Sequence, residues 1–153
     1  MSEQNTAEFV FGAFQKALNT NSLVTAKGEL FSDLLVYLDQ PDGETRYSYA
    51  LMGNGTRVKA LCVATVKDSE ADSLCFDLEI ATYAKFRQQG HATSVFEKAM
   101  QELKNGLSRN NISSFSVTFN VDKENEAGHA FCCKLTDKVI ETEQGKTYTK
   151  QIG

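Results

Sequence analysis

Residues 74–83 read LCFDLEIATY, residues 87–92 read RQQGHA and residues 115–120 read FSVTFN. The first stretch alternates apolar and polar side chains, the signature of a half-buried strand. The second is a short polar turn with one glycine. After it, Ala92, Val95, Phe96, Ala99, Met100, Leu103 and Leu107 recur at helical spacing. In the third, Phe115, Val117 and Phe119 alternate with Ser116, Thr118 and Asn120, a strand again. Strand, turn, helix and strand at this length make a βαβ crossover, which predicts two parallel strands. The helix then starts at the carboxyl end of the first strand. Its first turn offers backbone N–H groups and a positive dipole end, both suited to an anion. Gly90 and Ala92, with Arg87 ahead of them, would let a phosphate come close to that backbone.

The turn Arg87-x-x-Gly90-x-Ala92 resembles the [QR]-x-x-G-x-[GA] loop of the GCN5-related N-acetyltransferases, the GNAT family. That resemblance implies a loop that holds the pyrophosphate of acetyl-coenzyme A. Its binding groups would be the backbone amides of Gln88, Gln89, Gly90, His91, Ala92 and Thr93, with Arg87 adding charge. It also implies that the pantetheine arm lies along the central strand at Ala81, Thr82 and Tyr83. A backbone N–H near Thr82 would then polarise the thioester carbonyl.

A second stretch, residues 125–134 (NEAGHAFCCK), resembles the family's N-x-x-A-x-x-F-Y-x-K pattern. Asn125, Phe131 and Lys134 align, which implies a cofactor contact from Asn125, with Phe131 beside it. Gly128 stands where the pattern has alanine. Cys132 stands where it has a tyrosine that protonates the leaving thiolate. A thiol can donate a proton but is shorter than a phenol. His129 lies three residues before Cys132, on roughly the same helical face, as a base for a nucleophilic cysteine would. The other reading of Cys132 is a packed helix residue.

For the general base, the central strand offers Asp77 and Glu79, two residues apart and so on one face. Some family members carry a glutamate ten or eleven residues before the loop's first residue, and Asp77 stands ten before Arg87. A carboxylate beside an apolar cleft can take a proton from an ammonium. On the bland reading, both are solvated positions on the strand's outer face.

The chain has 153 residues, enough for one domain with a sizeable core. The opening MSEQNTAEF has no basic-then-apolar signal, and no apolar run reaches spanning length, so the expectation is a cytoplasmic protein away from membranes. Net charge is −4 with no basic stripe, which argues against a nucleic-acid partner and leans toward a cationic substrate. The cysteines are Cys62, Cys75, Cys132 and Cys133, with no C-x-x-C pair, so neither a disulfide framework nor a metal site is expected. Cys62 and Cys75 read as small core residues.

Residues 6–18 form an amphipathic helix with Phe9, Val10, Ala13, Phe14, Ala17 and Leu18, and Thr6 is a candidate N-cap. Residues 23–38 are ambiguous. Leu30, Phe31, Leu34, Leu35 and Leu38 fit a helix face, while LLVYL at 34–38 fits a short buried strand. Residues 40–43 (QPDG) are a turn. Residues 46–52 and 57–66 are strands joined by the hairpin signal Gly53-Asn54-Gly55-Thr56. Tyr47 and Tyr49 read as sheet or core packing. A charged turn, 67–73, leads into the central strand. Beyond it come a helix at 125–135 and a closing hairpin of residues 139–141 and 147–152.

The fold class is therefore α+β: one domain, an antiparallel meander of strands followed by a βαβ crossover, about six or seven strands, and helices on both faces. It matches the GNAT arrangement over about residues 57–149. The N-terminal third fits worst, because the family opens with a strand and two helices. The leading functional expectation is direct acetyl transfer from acetyl-CoA to a primary amine. The acceptor could be a polyamine, amino acid, aminoglycoside, peptide N-terminus or lysine, and the sequence does not choose. The alternatives are a non-catalytic acyl-CoA-binding or regulatory module, and an interaction domain that uses an exposed sheet edge. Homodimers are common in the family, but no stretch identifies an interface.

Overall fold

The computed structural model describes residues 6–68, 74–82 and 90–152, and of residues 6–8 and 68 only the backbone. Eight strands form one sheet: β1 (Ala26–Lys27), β2 (Leu34–Asp39), β3 (Arg46–Met52), β4 (Val58–Asp68), β5 (Cys75–Thr82), β6 (Phe115–Asp122), β7 (Val139–Glu141) and β8 (Gly145–Ile152). Among the described residues, three α-helices accompany them: α1 (Thr6–Asn19), α2 (His91–Ser108) and α3 (Glu126–Leu135). The strand order is β1-β2-β3-β4-β5-β6-β8-β7. Every neighbouring pair is antiparallel except β5 and β6, which run parallel across the α2 crossover. The meander, the crossover and helices on both faces are as the sequence predicts.

The sheet has one more strand than the upper expectation because residues 23–38 contribute extended chain. A helix would stack Leu30, Leu34 and Leu38 on one face. Instead Leu34 is 0% exposed while Leu30 and Leu38 are 50% and 55% exposed. This segment pairs as β1 and β2, and α1 is the one described α-helix of the N-terminal third. On α1, Val10, Phe11, Phe14 and Leu18 pack inward, but Phe9 points out at 77% exposure.

Two apolar cores sandwich the sheet. Under α2 and α3 lie Tyr49, Leu51, Ala60, Cys62, Phe76, Leu78, Val117 and Phe119. Under α1 lie Ala50, Val58, Leu61 and Val63. In β4, Ala60 and Cys62 belong to the first core, while Leu61 and Val63 belong to the second, as the period of two requires. Val58 breaks that parity because the register with β3 shifts between Leu51 and Met52, so one extra residue swaps the face. On α2, Val95, Phe96, Ala99, Met100 and Leu103 are all buried. Each large side chain among them contributes about 1.5–3 kcal/mol by leaving water.

Glu102 is a charged residue on that same buried stripe, 8% exposed. Its carboxylate accepts the backbone N–H groups of Glu29 (3.1 Å), Leu30 (3.0 Å) and Phe31 (2.9 Å). That satisfies a loop which would otherwise leave amide donors unpaired against the helix. Lys98 reinforces the junction, with Nζ 2.6 Å from Asp33 Oδ2 and 5.4 Å from the centre of the Phe31 ring.

Candidate functional site

β5 and β6 pair only from Cys75–Ser116 to Asp77–Thr118 among the described residues. Beyond that point β5 runs on to Thr82 and β6 to Asp122, and the two strands diverge. A cleft of about 330 Å³ opens in the fork. One arm supplies Asp77, Leu78, Glu79 and Ile80, and the other Phe119, Asn120 and Val121. Val10, Arg46, Thr65 and Lys67 border it on the α1 side of the sheet, with Asn125, Gly128 and Phe131 at the head of α3.

Alternation decides what each arm shows. Phe76, Leu78 and Ile80 turn toward the α2 core, so Asp77, Glu79 and Ala81 turn toward α1. Asp77 sits at the apex, the last residue of β5 that pairs with β6. Its register neighbours are Thr65 on β4 and Thr118 on β6, and Arg46 lies opposite Thr65 on β3. The result is a line of polar residues across the middle of the sheet. Thr118 Oγ1 donates to Asp77 Oδ1 at 2.6 Å.

Both cations at the rim already have carboxylate partners. Arg46 donates twice to Asp39, at 2.9 and 2.6 Å. These bonds hold its guanidinium above the ordinary arginine range. Lys67 Nζ lies 3.0 Å from Glu44 Oε2, and that bond raises its ammonium too, with Asp77 and Glu79 adding to the effect. Asp77 and Glu79 bring two carboxylates to the same wall of the cleft.

The expected cofactor loop is described from Gly90 onward. Tyr83, Arg87, Gln88 and Gln89 lie outside the described residues. Gly90 has φ +79°, a left-handed conformation that glycine adopts freely, and a side chain there would meet nothing within 4 Å. Among the described residues, the first α-helical bond of α2 runs from Ser94 N–H to Gly90 O at 3.0 Å. His91, Ala92 and Thr93 make up the first turn of the helix. Burial and the nearby Lys59 push the His91 imidazole below its ordinary range. Ala81 and Thr82 pair with Leu61 and Ala60 near the end of β5. The cleft wall itself is formed a few residues earlier, by Asp77 to Ile80.

At the other arm, Asn125 caps α3, its Oδ1 accepting Gly128 N–H at 3.0 Å. Gly128 is explained by that cap, since a Cβ would meet Asn125 Nδ2 at 2.7 Å and Val121 Cγ1 at 2.9 Å. The ring of Phe131 closes a triangle with Phe96 and Phe119, with centroids 5.9–6.1 Å apart.

Cys132 does not join this site. It is 1% exposed within the α2–α3 core, and burial pushes its thiol up to about 12, as it does that of Cys62. Nor does His129 serve it. The imidazole bonds to Tyr148 OH through Nδ1 and to Asp122 O through Nε2, both at 2.8 Å. Helical spacing placed His129 and Cys132 on similar bearings but could not reveal that β8 supplies the partner. Sequence reasoning also missed Thr118 and Arg46. Both belong to strands it recognised, but their place beside Asp77 depends on register across four strands.

A larger groove, about 710 Å³, lies between the end of β6 and the β7–β8 turn. It shares Asn120 and Val121 with the cleft, and none of the expected site residues line it. Among the described residues, no three His, Cys, Asp or Glu side chains converge to hold a metal ion. No helix is long and apolar enough to cross a membrane.

No protein-family model matches the sequence, and no curated protein matches it. Solved structures do match. An acetyltransferase of the GNAT family from Streptococcus pneumoniae superposes with a TM-score of 0.51 at 14% identity, over 99% of this chain and 96% of that one. A variant spermidine N-acetyltransferase from Vibrio cholerae gives 0.50 at 10% identity, over 99% and 90%. The Escherichia coli ribosomal-protein-S18-alanine N-acetyltransferase gives 0.45 at 16% identity, over 69% of this chain and 66% of that one, too loose a match to carry weight. The fold is the GNAT fold.

Proposed function

We propose that the fork between β5 and β6 binds acetyl-CoA, and that the protein transfers the acetyl group to a primary amine. One observation carries this reading: the strands part at Asp77, the candidate base, and the start of α2 lies at the far end of the same strand–helix unit. The fork suits the cofactor's shape. Where the described ladder between β5 and β6 ends, an extended chain bearing amides can lie between the strands. The αL turn at Gly90 leaves room over the first turn of α2, where His91, Ala92 and Thr93 would meet phosphate. Tyr83, Arg87, Gln88 and Gln89 complete the proposed cofactor contacts, with Ala81 and Thr82 along the strand and Asn125 and Phe131 on the facing arm.

Asp77 is the proposed general base, with Glu79 beside it on the same face. An alkylammonium acceptor enters from the α1 side and gives one proton to Asp77. Bound acetyl-CoA supplies a thioester: the amine nitrogen bonds to its carbonyl carbon, the C–S bond breaks, and the thiolate takes the second amine proton. Cys132 is left out, because its buried thiol does not line the cleft. That same fact favours the second reading, a module that binds acyl-CoA without turnover.

Calorimetric titration with acetyl-CoA, desulfo-CoA and ATP tests the binding. Uptake of the first two but not of ATP is expected; no uptake at millimolar ligand sinks both readings. Thiol release that depends on added amine then separates the enzyme from the binding module.

A further inference from the structure

We propose that Thr118 is a positioning residue, orienting Asp77 for the proton it takes from the acceptor. This rests on the acetyl-transfer reading above. Thr118 Oγ1 donates to Asp77 Oδ1 at 2.6 Å, a short bond of the charge-assisted kind. The two residues are direct partners on parallel strands, at the last rung before the fork. A carboxylate there has two ways to turn, along the sheet or into the cleft. The hydroxyl engages one oxygen and fixes the plane of the group. Oδ2 has no partner among the described residues and is the oxygen left to receive the proton.

Other charges around Asp77 do not do this work. Arg46 from β3 is committed to Asp39, and Lys67 from β4 to Glu44. Glu79, on the same strand, is a carboxylate and no donor. To the cleft lining, β6 contributes Phe119, Asn120 and Val121, α1 contributes Val10, and the head of α3 contributes Asn125, none of them charged. Thr118 is thus the one described group that bonds directly to the Asp77 carboxylate.

Thr118→Val keeps the shape and the strand preference but removes the donor. The full chain is assayed for acetyl-CoA binding by calorimetry, and for thiol release over a range of pH with spermidine, L-lysine and an alanine-terminated tripeptide as acceptors. In Thr118→Val, binding of acetyl-CoA should match wild type, kcat/KM at neutral pH should fall about tenfold, and the acid limb of the rate profile should shift. Thr118→Ser should restore both. In an Asp77→Asn background, Thr118→Val should cost nothing further. An unmoved profile, or an equal loss in the Asp77→Asn background, overturns the role of Thr118 and leaves acetyl transfer standing. A wild-type chain that binds acetyl-CoA yet acetylates none of the three amines overturns both together.

Discussion

Removing the Glu102 carboxylate should loosen the β1–β2 loop from α2 and lower stability by a calculable amount. Three backbone N–H groups converge on this one side chain, two of them on Oε2. Hydrogen bonds to charged groups are worth about 1.5–3 kcal/mol each, but three that share one acceptor are not independent, and the freed amides regain some water. Glu102→Ala should therefore cost about 3 kcal/mol, or about 6–12 °C in Tm for a chain of this size. Glu102→Gln keeps one acceptor oxygen and should cost roughly half as much. The local geometry gives an independent check. A Cβ on Gly28 would land on Glu102 Oε2, and it would also stand 2.7 Å from Phe31 O. Gly28→Ala should displace the carboxylate and lose much the same bonds. In a Glu102→Ala background that part of its cost vanishes and only the backbone clash remains. Urea unfolding of the four chains, with equal m-values, measures the coupling. Additive losses, or a Glu102→Ala cost below about 0.5 kcal/mol, would refute the reasoning.

Other outcomes follow from the site and the core. Gly90→Val forces a β-branched residue into the left-handed region, at a cost of about 1–3 kcal/mol. It should abolish acetyl-CoA binding while circular dichroism shows a folded chain. Asp77→Asn should lower kcat by about a hundredfold or more while acetyl-CoA binding persists; unchanged turnover removes Asp77 from the mechanism. His91, held below its ordinary range by burial and Lys59, should titrate at higher pH once acetyl-CoA brings phosphate to the α2 N-terminus, as proton NMR of the imidazole would show. The thiols of Cys62 and Cys132 are pushed up to about 12. Above about pH 9 the unfolded chain releases protons that the folded chain keeps, so stability should fall as pH rises, and Cys62→Ala should flatten part of that slope.

Much of the architecture could be read directly from the sequence. Phe115, Val117 and Phe119 point into the core as alternation requires, and the α2 stripe from Val95 to Leu103 is buried as spacing requires. Residues 23–38 could not be read, because Leu30, Leu34 and Leu38 suit a helix as well as a strand until sheet pairing decides. The site divides along similar lines. Asp77 and Glu79 could be found because two residues on one strand share a face. The salt bridge Arg46–Asp39, the bond from Thr118 and the latch from Glu102 join residues seven to seventy-three positions apart, and no local pattern announces them. Cys132 could be read both as an acid and as a packed helix residue, because position in a motif says nothing about depth in the core, and it lies 1% exposed.

The fork between β5 and β6 has a further consequence for the company this protein keeps. A strand edge exposed at the rim of a sheet invites any passing polypeptide to extend the ladder, a standing risk of aggregation. Here two such edges lie inside the sheet, facing each other across a narrow angle that closes at Asp77. An intruding strand would have to fit its side chains into the closing angle, with the rings of Phe119 and Phe131 on one side and Val10 on the other. A thin, unbranched chain meets no such obstacle. The sheet can thus part in its middle and still refuse a foreign strand, because its geometry admits guests by girth.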